Sequence, residues 1–187
     1  MNIAPQILLI DSNSYFRLAK SLHPLLNNSF GSENYCILIL KECDEEYSKN
    51  TGLQNKFSWV NEEEYRNNRK NILKSNNATN NAINNNIQFI KYYARDNYLN
   101  VSDVDIRYLA TSLELNFILI TDDNDMILVA QEFEIKVLKT LELLKLMLDC
   151  GFIKISKVKE IVDFWVYIKD KPKYFKEDCK KLFNLDY

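Results

Sequence analysis

Four short, continuously apolar runs alternate with helical patterns, and this alternation constrains the fold of the 187-residue chain more than any other feature. The runs lie at 7–10, 35–40, 117–120 and 135–138. Continuous apolar runs of this length are typical of strands buried on both faces of a parallel sheet. Because helical patterns separate them, we predict βαβ units and an α/β fold with a mainly parallel central sheet.

The segments between and after these runs carry the spacing of amphipathic helices. The first begins at Ser12 or Asn13, and the others are predicted at 41–50, 62–74, 87–98, 101–115, 124–133, 140–150, 156–168 and 174–183. Gly151 suits the position just after a helix end. Seven asparagines lie between Asn76 and Asn86. Since asparagine favours turns over helix interiors, we predict a mobile loop or an interrupted helix there.

The chain contains a single histidine, His23, and this excludes several kinds of chemistry. A zinc cluster of the usual His/Cys kind and a paired-histidine metal site are both ruled out. A Ser-His-Asp or Cys-His mechanism would depend on that one residue. The four cysteines form no Cys-x-x-Cys pair, so we expect reduced, buried thiols.

Hydropathy gives no sign of a membrane segment. No apolar run approaches the ~18 residues that a membrane-spanning helix needs. The first eleven residues carry no Lys or Arg and only a short apolar run, unlike a signal peptide. We therefore expect a cytoplasmic protein without a membrane partner.

The formal net charge is only −2, but the charges are unevenly distributed. From Arg66 to Arg95 there are six basic residues and no acid, and from Lys154 to Lys181 there are nine lysines against five acids. The acids gather at 42–46, 62–64, 103–105 and 122–125. This distribution suits an acidic, metal-dependent centre acting on a polyanion. Two solvated helical faces would give the same pattern.

Acidic residues follow the predicted strands or begin the predicted helices. Asp11 ends the first strand, and the others lie at 42–46, 103–105 and 122–125. In a parallel sheet such positions can converge at one edge. Carboxylates that converge repel one another unless a cation lies between them. Oxygen ligands without His or Cys favour Mg²⁺ or Mn²⁺, the ions that serve phosphoryl chemistry.

Most of these acids also have a purely structural interpretation. Ser102 and Asp105 have the spacing of a helix capping box, and Asp123 could cap the helix that follows it. Acids at 42–46 would be favourable at a helix N-terminus. Asp11 fits a structural role least well, because a carboxylate that ends a buried strand gains little.

Four segments, in order, resemble the motifs of the PIN-domain family. Ile-Asp-Ser-Asn at 10–13 resembles the opening strand motif, and Cys43-Asp-Glu-Glu-Tyr47 resembles the second. The segment from Ser102-Asp-Val-Asp105 through Leu109-Ala110 resembles the third. Leu-Ile-Thr-Asp-Asp at 119–123 resembles the fourth. The resemblance covers roughly residues 7–150.

The PIN resemblance implies a Rossmann-like, three-layer α/β/α sandwich and a Mg²⁺- or Mn²⁺-dependent ribonuclease. It implies a catalytic metal-ligand set of Asp11, Glu46, Asp105 and Asp123. Asp125 would be an auxiliary metal ligand, Asn13 would orient Asp11, and Thr121 and Asp122 would support the fourth motif. Glu42 lies one helical turn before Glu46 and could replace it. The ions would activate water for attack on an RNA phosphodiester bond.

Under this interpretation, basic residues outside the motifs would hold the RNA backbone. The candidates are Arg66, Arg69, Lys70 and Lys91, with Tyr92 and Tyr93 able to stack on a base or, alternatively, to pack against the core. We predict a nuclease core over 1–150 with a helical, Asn-rich insert at about 53–100. Residues 151–187 are predicted as a helical extension of the same domain.

Other classes of protein fit the sequence less well. A receiver domain requires an acidic pair at the end of the first strand, but Ile10 precedes Asp11; a dehalogenase-like phosphatase requires Asp-x-Asp, but residue 13 is Asn. The main alternative is a PIN fold that binds nucleic acid or protein without catalysis.

A toxin would need an antitoxin or other inhibitor protein as partner. Leu143, Leu146, Leu148 and Phe152 could form a homodimer surface, although core packing explains them better.

Overall fold

The computed structural model describes residues 4–21, 26–69, 73 and 76–187. These residues form an α/β fold, as the alternating pattern predicted, with a sheet of five strands where four were predicted. The strands are β1 (Gln6–Ile10), β2 (Ser29–Phe30), β3 (Tyr35–Leu38), β4 (Ile118–Ile120) and β5 (Val137–Leu138). The helices are α1 (Ser12–Ala19), α2 (Glu42–Lys49), α3 (Thr51–Lys56), α4 (Glu63–Arg69), α5 (Asn77–Asp96), α6 (Asp103–Leu115), α7 (Asn124–Glu132), α8 (Thr140–Asp149), α9 (Ile155–Tyr167) and α10 (Phe175–Phe183), with a 3₁₀ helix at Ser58–Asn61.

The sheet has the order β2-β3-β1-β4-β5, with β1 at its centre. β1 pairs in parallel with both β3 and β4, so that Leu9 lies opposite Leu38 on one side and Leu119 on the other. β4 and β5 are also parallel, whereas β2 and β3 are antiparallel, which makes the sheet mixed. β2 lies just before the second apolar run, where the sequence pattern predicted no strand. Because β1 has a neighbouring strand on each side, Asp11, which directly follows β1, lies at the middle of the sheet's carboxyl edge.

The Asn-rich segment is helical, and the prediction of a mobile loop or an interrupted helix at 76–86 was wrong. α5 runs without interruption from Asn77 to Asp96, and the Asn76 side chain caps it by accepting a hydrogen bond from the Thr79 backbone N–H. Ile83, Ile90 and Ala94 are buried along one face of this helix. Their packing outweighs the weak helix propensity of asparagine, which costs only a fraction of a kcal/mol per residue.

Several helices end on a non-glycine residue in the left-handed backbone conformation. At the end of α9 the Asp170 N–H donates to the Trp165 carbonyl and the Lys169 N–H donates to the Val166 carbonyl, with Lys169 at φ +57°. This is the Schellman arrangement, and α7 ends in the same way with Glu134 at φ +55°. The predicted glycine after α8 is confirmed, with Gly151 at φ +69°.

One hydrophobic core contains the central strands and the C-terminal helices. Leu8, Leu9 and Leu119 from the sheet are fully buried together with Trp165 of α9 and Cys179 of α10. Residues 151–187 therefore share the core of the domain. His23 and Lys70, as well as Leu22 and Leu25 of the predicted first helix, lie outside the described residues. Within the described ranges, no helix is both long enough and apolar enough to cross a membrane.

Candidate functional site

Asp11 lies where β1 ends and α1 begins, and it serves both elements. Its backbone N–H donates to the Ile120 carbonyl at 3.0 Å, which ties the end of β1 to β4. Its carboxylate caps α1, with Oδ1 accepting a hydrogen bond from the Ser14 N–H at 2.6 Å. The residue is only 3% exposed. The first predicted motif therefore gives a carboxylate held rigidly at the centre of the sheet edge.

Burial raises the pKa of Asp11 from 3.8 to about 6. Hydrogen bonds from Thr121 and the Ser14 backbone act in the opposite direction, and the nearby Asp122 carboxylate adds to the rise. Burial dominates because an ionised carboxylate loses hydration when it leaves water. At pH 7 Asp11 is still mostly ionised, and a cation placed beside it would be attracted by a poorly solvated charge.

A cleft of about 270 Å³ opens beside Asp11. Asn13, Asp122 and Asp123 line it, as the motifs predicted for one sheet edge. The opposite wall comes from α3 and from the segment between α9 and α10, including Lys56 and residues 170–173. This volume is at the lower end for a pocket that encloses a small ligand. It suits a small group, such as one phosphodiester and an ion, better than a whole nucleotide.

Arg17 connects the two walls of the cleft. Its guanidinium forms an ion pair with the Asp122 carboxylate, and Nη2 lies 3.5 Å from Oδ1 of Asp170. Trp165 anchors the backbone of α1, because its Nε1 donates to the Arg17 carbonyl at 3.0 Å. Lys56 reaches Oδ2 of Asp170 at 3.0 Å. The network fixes the segment after α9 against α1 and α3.

Asp122 is fully engaged within the protein. Besides Arg17, it accepts hydrogen bonds from the backbone N–H of Thr140, at 3.1 Å, and from the Thr140 hydroxyl. Its charge is therefore neutralised by Arg17, and both oxygens have partners. Asp122 thus orders the cleft wall.

The charges around the cleft balance. Among the described residues that line it, four are carboxylates and four are cations. The carboxylates are Asp11, Asp122, Asp123 and Asp170, and the cations are Arg17, Lys56, Lys171 and Lys173. Binding of one divalent ion would make the cleft net positive. The ion would therefore strengthen the attraction of the cleft for a polyanion.

The remaining acids of the resemblance lie apart from Asp11 and Asp123. Asp105 forms a capping box with Ser102, in which its Oδ2 accepts the Ser102 N–H at 2.8 Å. Asp125 accepts the Asn100 N–H at 2.8 Å. Neither residue lines the cleft. Both carboxylates therefore have structural partners in this conformation.

The two glutamates of the second motif are on α2 and also do not line the cleft. Glu42 forms an ion pair with Arg107, with Oε1 3.3 Å from Nε. Glu46 is half-buried one turn later. Since Glu42 is neutralised by Arg107, the structure offers no reason to prefer it over Glu46.

Thr121 and Asp123 organise the start of α7. The Thr121 hydroxyl accepts the Asp123 N–H at 3.1 Å, and Oδ1 of Asp123 caps α7 by accepting the Met126 N–H at 2.9 Å. Asp123 is exposed, so its other oxygen can reach solvent. Asp11 and Asp123 are thus two helix-capping carboxylates that face the same cleft.

Only a smaller set of the predicted ligands than the full four fits a metal ion. No group of three or more His, Cys, Asp or Glu side chains in the described part of the chain is arranged to hold a metal ion. The full set of four acids is therefore not assembled. Magnesium in phosphoryl-transfer sites, however, is often held by one or two carboxylates, with water and substrate phosphate completing its shell. Asp11 and Asp123 match that smaller set.

The basic residues predicted to hold RNA have mixed locations. Arg69 is buried, with Nε 2.7 Å from Oδ1 of Asp44 and Nη1 3.1 Å from the Tyr15 hydroxyl. Lys91 forms an ion pair with Asp103 at 2.7 Å. Arg66 is exposed, and Lys70 lies outside the described residues. Arg66, Lys91 and buried Arg69 do not line the cleft beside Asp11.

The two tyrosines of the insert differ from each other. Tyr92 is 60% exposed and lies beside Arg95, whereas Tyr93 packs edge-on against Phe133 with ring centroids 5.6 Å apart. Tyr93 therefore has the packing role that was its alternative interpretation.

The sequence analysis missed the cationic wall of the cleft. Arg17, Lys56, Lys171 and Lys173 were not among the candidate residues. The signal for Lys171 and Lys173 was the lysine-rich stretch from 154 to 181, which was recognised as basic but could not be placed next to Asp11 without the tertiary structure. Arg17 and Lys56 lie outside that stretch and had no such signal.

Comparisons of this chain with models of protein families, with curated proteins and with solved structures found no match. The site must therefore be interpreted from its own geometry.

Proposed function

We propose that this protein is a divalent-metal-dependent phosphodiesterase that cleaves RNA. The observation that carries the proposal is the position of Asp11. It is a buried carboxylate at the carboxyl end of the central strand, and it shares a cleft with Asp123 and with four cationic side chains. Acids that would hold Mg²⁺ or Mn²⁺, beside cations that would hold phosphate, suit phosphoryl chemistry.

In this mechanism Asp11 and Asp123 hold the ion. When bound, the ion would activate water and neutralise charge that develops on the phosphate. Asn13 lies at the cleft beside Asp11 and can hydrogen-bond to substrate. Arg17 keeps Asp122 neutralised, so that repulsion between Asp122 and Asp11 is reduced. Lys56, Lys171 and Lys173 neutralise the RNA backbone as it enters.

The finer features of the fold and setting belong to the same proposal. The parallel pairing of β1 with β3 and β4, together with the four motifs in order, supports a PIN-like, three-layer α/β/α sandwich. A PIN-type ribonuclease would act in the cytoplasm. An antitoxin or other inhibitor protein, and a homodimer, are partners that this class of enzyme would allow.

A second candidate is supported by the positions of the other acids. Asp105 and Asp125 have structural partners and Asp122 is paired with Arg17. These pairings favour a PIN-like fold that binds nucleic acid or protein without cleaving it. The two candidates differ in whether metal-dependent cleavage occurs.

The test is cleavage of labelled single-stranded RNA and of DNA with the same sequence, in Mn²⁺, Mg²⁺ or EDTA. We expect RNA cleavage with metal and none in EDTA. Asp11→Asn and Asp123→Asn should each reduce the rate at least about 100-fold, a loss typical of removing a charged group that acts in the transition state. Asparagine is a good helix cap, so both variants keep their helix starts.

Asp149→Asn is the matched control, because Asp149 is an exposed carboxylate on α8. It should cleave like the unmodified protein. Asp105→Asn and Glu46→Gln test whether the acids outside the cleft take part. Cleavage in EDTA, or an undiminished rate in Asp11→Asn, would refute the proposal. RNA binding with no cleavage in any metal would favour the second candidate.

A further inference from the structure

The segment 168–174 connects α9 to α10, and its residues 170–173 form one wall of the cleft beside Asp11. Asp170, Lys171, Pro172 and Lys173 all line this cleft. The Schellman end of α9 fixes where the segment starts, since the Asp170 N–H donates to the Trp165 carbonyl at 3.0 Å. The segment is therefore an integral part of the cleft wall.

The segment is anchored at Asp170, at Pro172 and at Phe175, the residue directly after it. Asp170 is held by Arg17 and Lys56, Pro172 is buried, and Phe175 directly after the segment is 4% exposed. Lys171, Lys173 and Tyr174 lie between these anchors and are exposed. A segment anchored in this way presents its outward side chains in a fixed arrangement, so that little conformational entropy is lost when a ligand binds.

The outward lysines have no acidic partner among the residues that the structure describes. Within the described ranges, the ion pairs of up to 4.0 Å include neither Lys171 nor Lys173, although lysines elsewhere on the C-terminal helices do have partners. Lys139 at the start of α8 likewise has no ion pair among the described residues. Three unpaired ammonium groups thus lie around this end of the cleft.

Tyr174 has an unusual position among these lysines. Its ring is 53% exposed, with Nζ of Lys173 at 5.1 Å and Nζ of Lys139 at 5.7 Å from the ring centroid. Its backbone adopts the left-handed conformation at φ +62°. Seven other described non-glycine residues, Lys169 and Glu134 among them, share this conformation, so the backbone alone does not mark the site. The Tyr174 ring adds little to the core, so core packing does not explain why an aromatic residue stands at this position.

We propose that Lys171, Lys173 and Tyr174, with Lys139, form a subsite for a single-stranded nucleic acid that enters the cleft. The lysines hold two consecutive phosphates, and the Tyr174 ring stacks on the base between them. Stacking on an aromatic side chain with cationic neighbours is how proteins bind single strands without reading their sequence. The choice of RNA as the polymer rests on the proposed function.

The experiment measures binding separately from cleavage. Fluorescein-labelled 12-nucleotide RNA, the DNA of the same sequence, and the RNA duplex are titrated with the full-length protein in EDTA, and fluorescence anisotropy gives Kd. We expect the single strands to bind more tightly than the duplex, because paired bases cannot stack on Tyr174. The contrast between RNA and DNA shows which polymer the subsite prefers.

Three variants test the residues. Lys171→Gln/Lys173→Gln should weaken binding of the single strand about 10-fold at low salt. It should also reduce the slope of log Kd against log salt by about 1.4, because two phosphate contacts are lost. Tyr174→Leu should weaken binding about 10-fold with the salt slope unchanged, and Tyr174→Phe should retain the affinity.

Lys159→Gln/Lys176→Gln is the matched control, since both lysines are exposed and neither lines the cleft. Circular dichroism and thermal melting verify that each variant is folded. Equal losses in the control, unchanged binding in both Lys171→Gln/Lys173→Gln and Tyr174→Leu, or no binding of any oligonucleotide by the unmodified protein would overturn the subsite.

The subsite and the proposed function can fail separately. If the variants lose binding but no metal supports cleavage, the subsite stands and the phosphodiesterase is refuted. If cleavage depends on metal and Asp11 but the variants bind and cleave normally, the phosphodiesterase stands and the subsite is refuted.

Discussion

Asp11 shows how a single side chain can serve both fold and chemistry. Its carboxylate caps α1 and lies at 3% exposure, while its backbone connects β1 to β4. Burial raises its pKa to about 6, so the folded protein holds the Asp11 proton more tightly than the unfolded chain does. Ionised Asp11 therefore opposes folding at neutral pH unless a cation compensates it.

Asp11→Asn should stabilise the protein at pH 7.5 in EDTA. A pKa that rises from 3.8 to about 6 corresponds to about 3 kcal/mol, which is the upper limit of the gain. Between pH 4 and 6 the unfolded chain releases this proton first, so the free energy of unfolding falls as pH rises. At pH 3.5 Asp11 is protonated in the folded state and mostly protonated in the unfolded chain, and the gain should nearly disappear. Urea unfolding of both proteins across this range measures the difference.

The same variant tests the cation site through stability alone. Excess Mn²⁺ at pH 7.5 should stabilise the unmodified protein, because a ligand that binds only the folded state adds to its stability. Asp11→Asn should respond less, whereas Asp149→Asn should respond fully. An equal response of all three proteins would show that Mn²⁺ does not bind beside Asp11.

Arg69 illustrates a basic residue whose role the sequence analysis predicted differently. Its side chain is 4% exposed and donates to the buried Tyr15 hydroxyl. Arg69→Met should lower the free energy of unfolding by about 1–3 kcal/mol, because the Tyr15 hydroxyl loses its partner. Arg66→Met, at an exposed position, should change it by less than about 0.5 kcal/mol. Urea unfolding gives both values; weaker RNA binding without lost stability in Arg69→Met would instead mean that Arg69 reaches the RNA.

At the level of elements, α5 shows that packing can outweigh composition. Its asparagines are poor helix formers, yet Ile83, Ile90 and Ala94 recur at helical spacing and are buried. The spacing from Ile87 to Tyr98 predicted the second half of this helix. The first half was not predicted because Ile83 is the only strongly apolar residue there that marks the buried face.

Asn81→Ala/Asn85→Ala should stabilise the protein, because both residues are exposed on α5. Replacing asparagine with alanine in a helix gains about 0.5 kcal/mol per residue, or about 1 kcal/mol in total. The midpoint of urea unfolding measures the gain, with the far-ultraviolet circular dichroism unchanged. No gain, or a loss, would indicate that these asparagines are not in a helix in solution.

For the whole molecule, the C-terminal helices contribute both to the core and to the cleft. Val158, Ile161, Val162 and Trp165 of α9 are fully buried, and Asp170 binds Arg17 of α1. Each fully buried side chain of this size contributes about 1.5–3 kcal/mol. Their sum is comparable to the total stability of a typical domain, about 5–15 kcal/mol.

A fragment of residues 1–150 should therefore not fold on its own. We expect it to lack a cooperative urea transition and to show poor dispersion of amide signals by nuclear magnetic resonance. As a control, residues 151–187 are added to the fragment as a separate peptide. Recovery of the cooperative transition would show that its loss came only from the missing contacts. A cooperative transition in the fragment would mean that the core is complete without the C-terminal helices.

The sequence predicted one wall of the cleft and not the other, for a physical reason. Asp11, Asn13 and Asp123 follow strands of the same sheet, so local patterns and strand order suffice to place them together. Lys171 and Lys173 reach the cleft only because Trp165 packs into the core and Asp170 binds Arg17. Such contacts between distant parts of the chain depend on packing that no local pattern contains.

The helix ends have a consequence for heat resistance. With only three glycines in the chain, positions such as Tyr98, at φ +55°, and Glu134 adopt the left-handed conformation with a side chain. Tyr98 is 96% exposed, so its ring gains little from packing. Relief of the backbone strain, about 1–2 kcal/mol, exceeds the entropy that glycine loses, about 0.5–1 kcal/mol. Tyr98→Gly/Glu134→Gly should therefore raise the Tm by a few degrees, and these helix ends, rather than the core, are where the protein's working temperature can be extended.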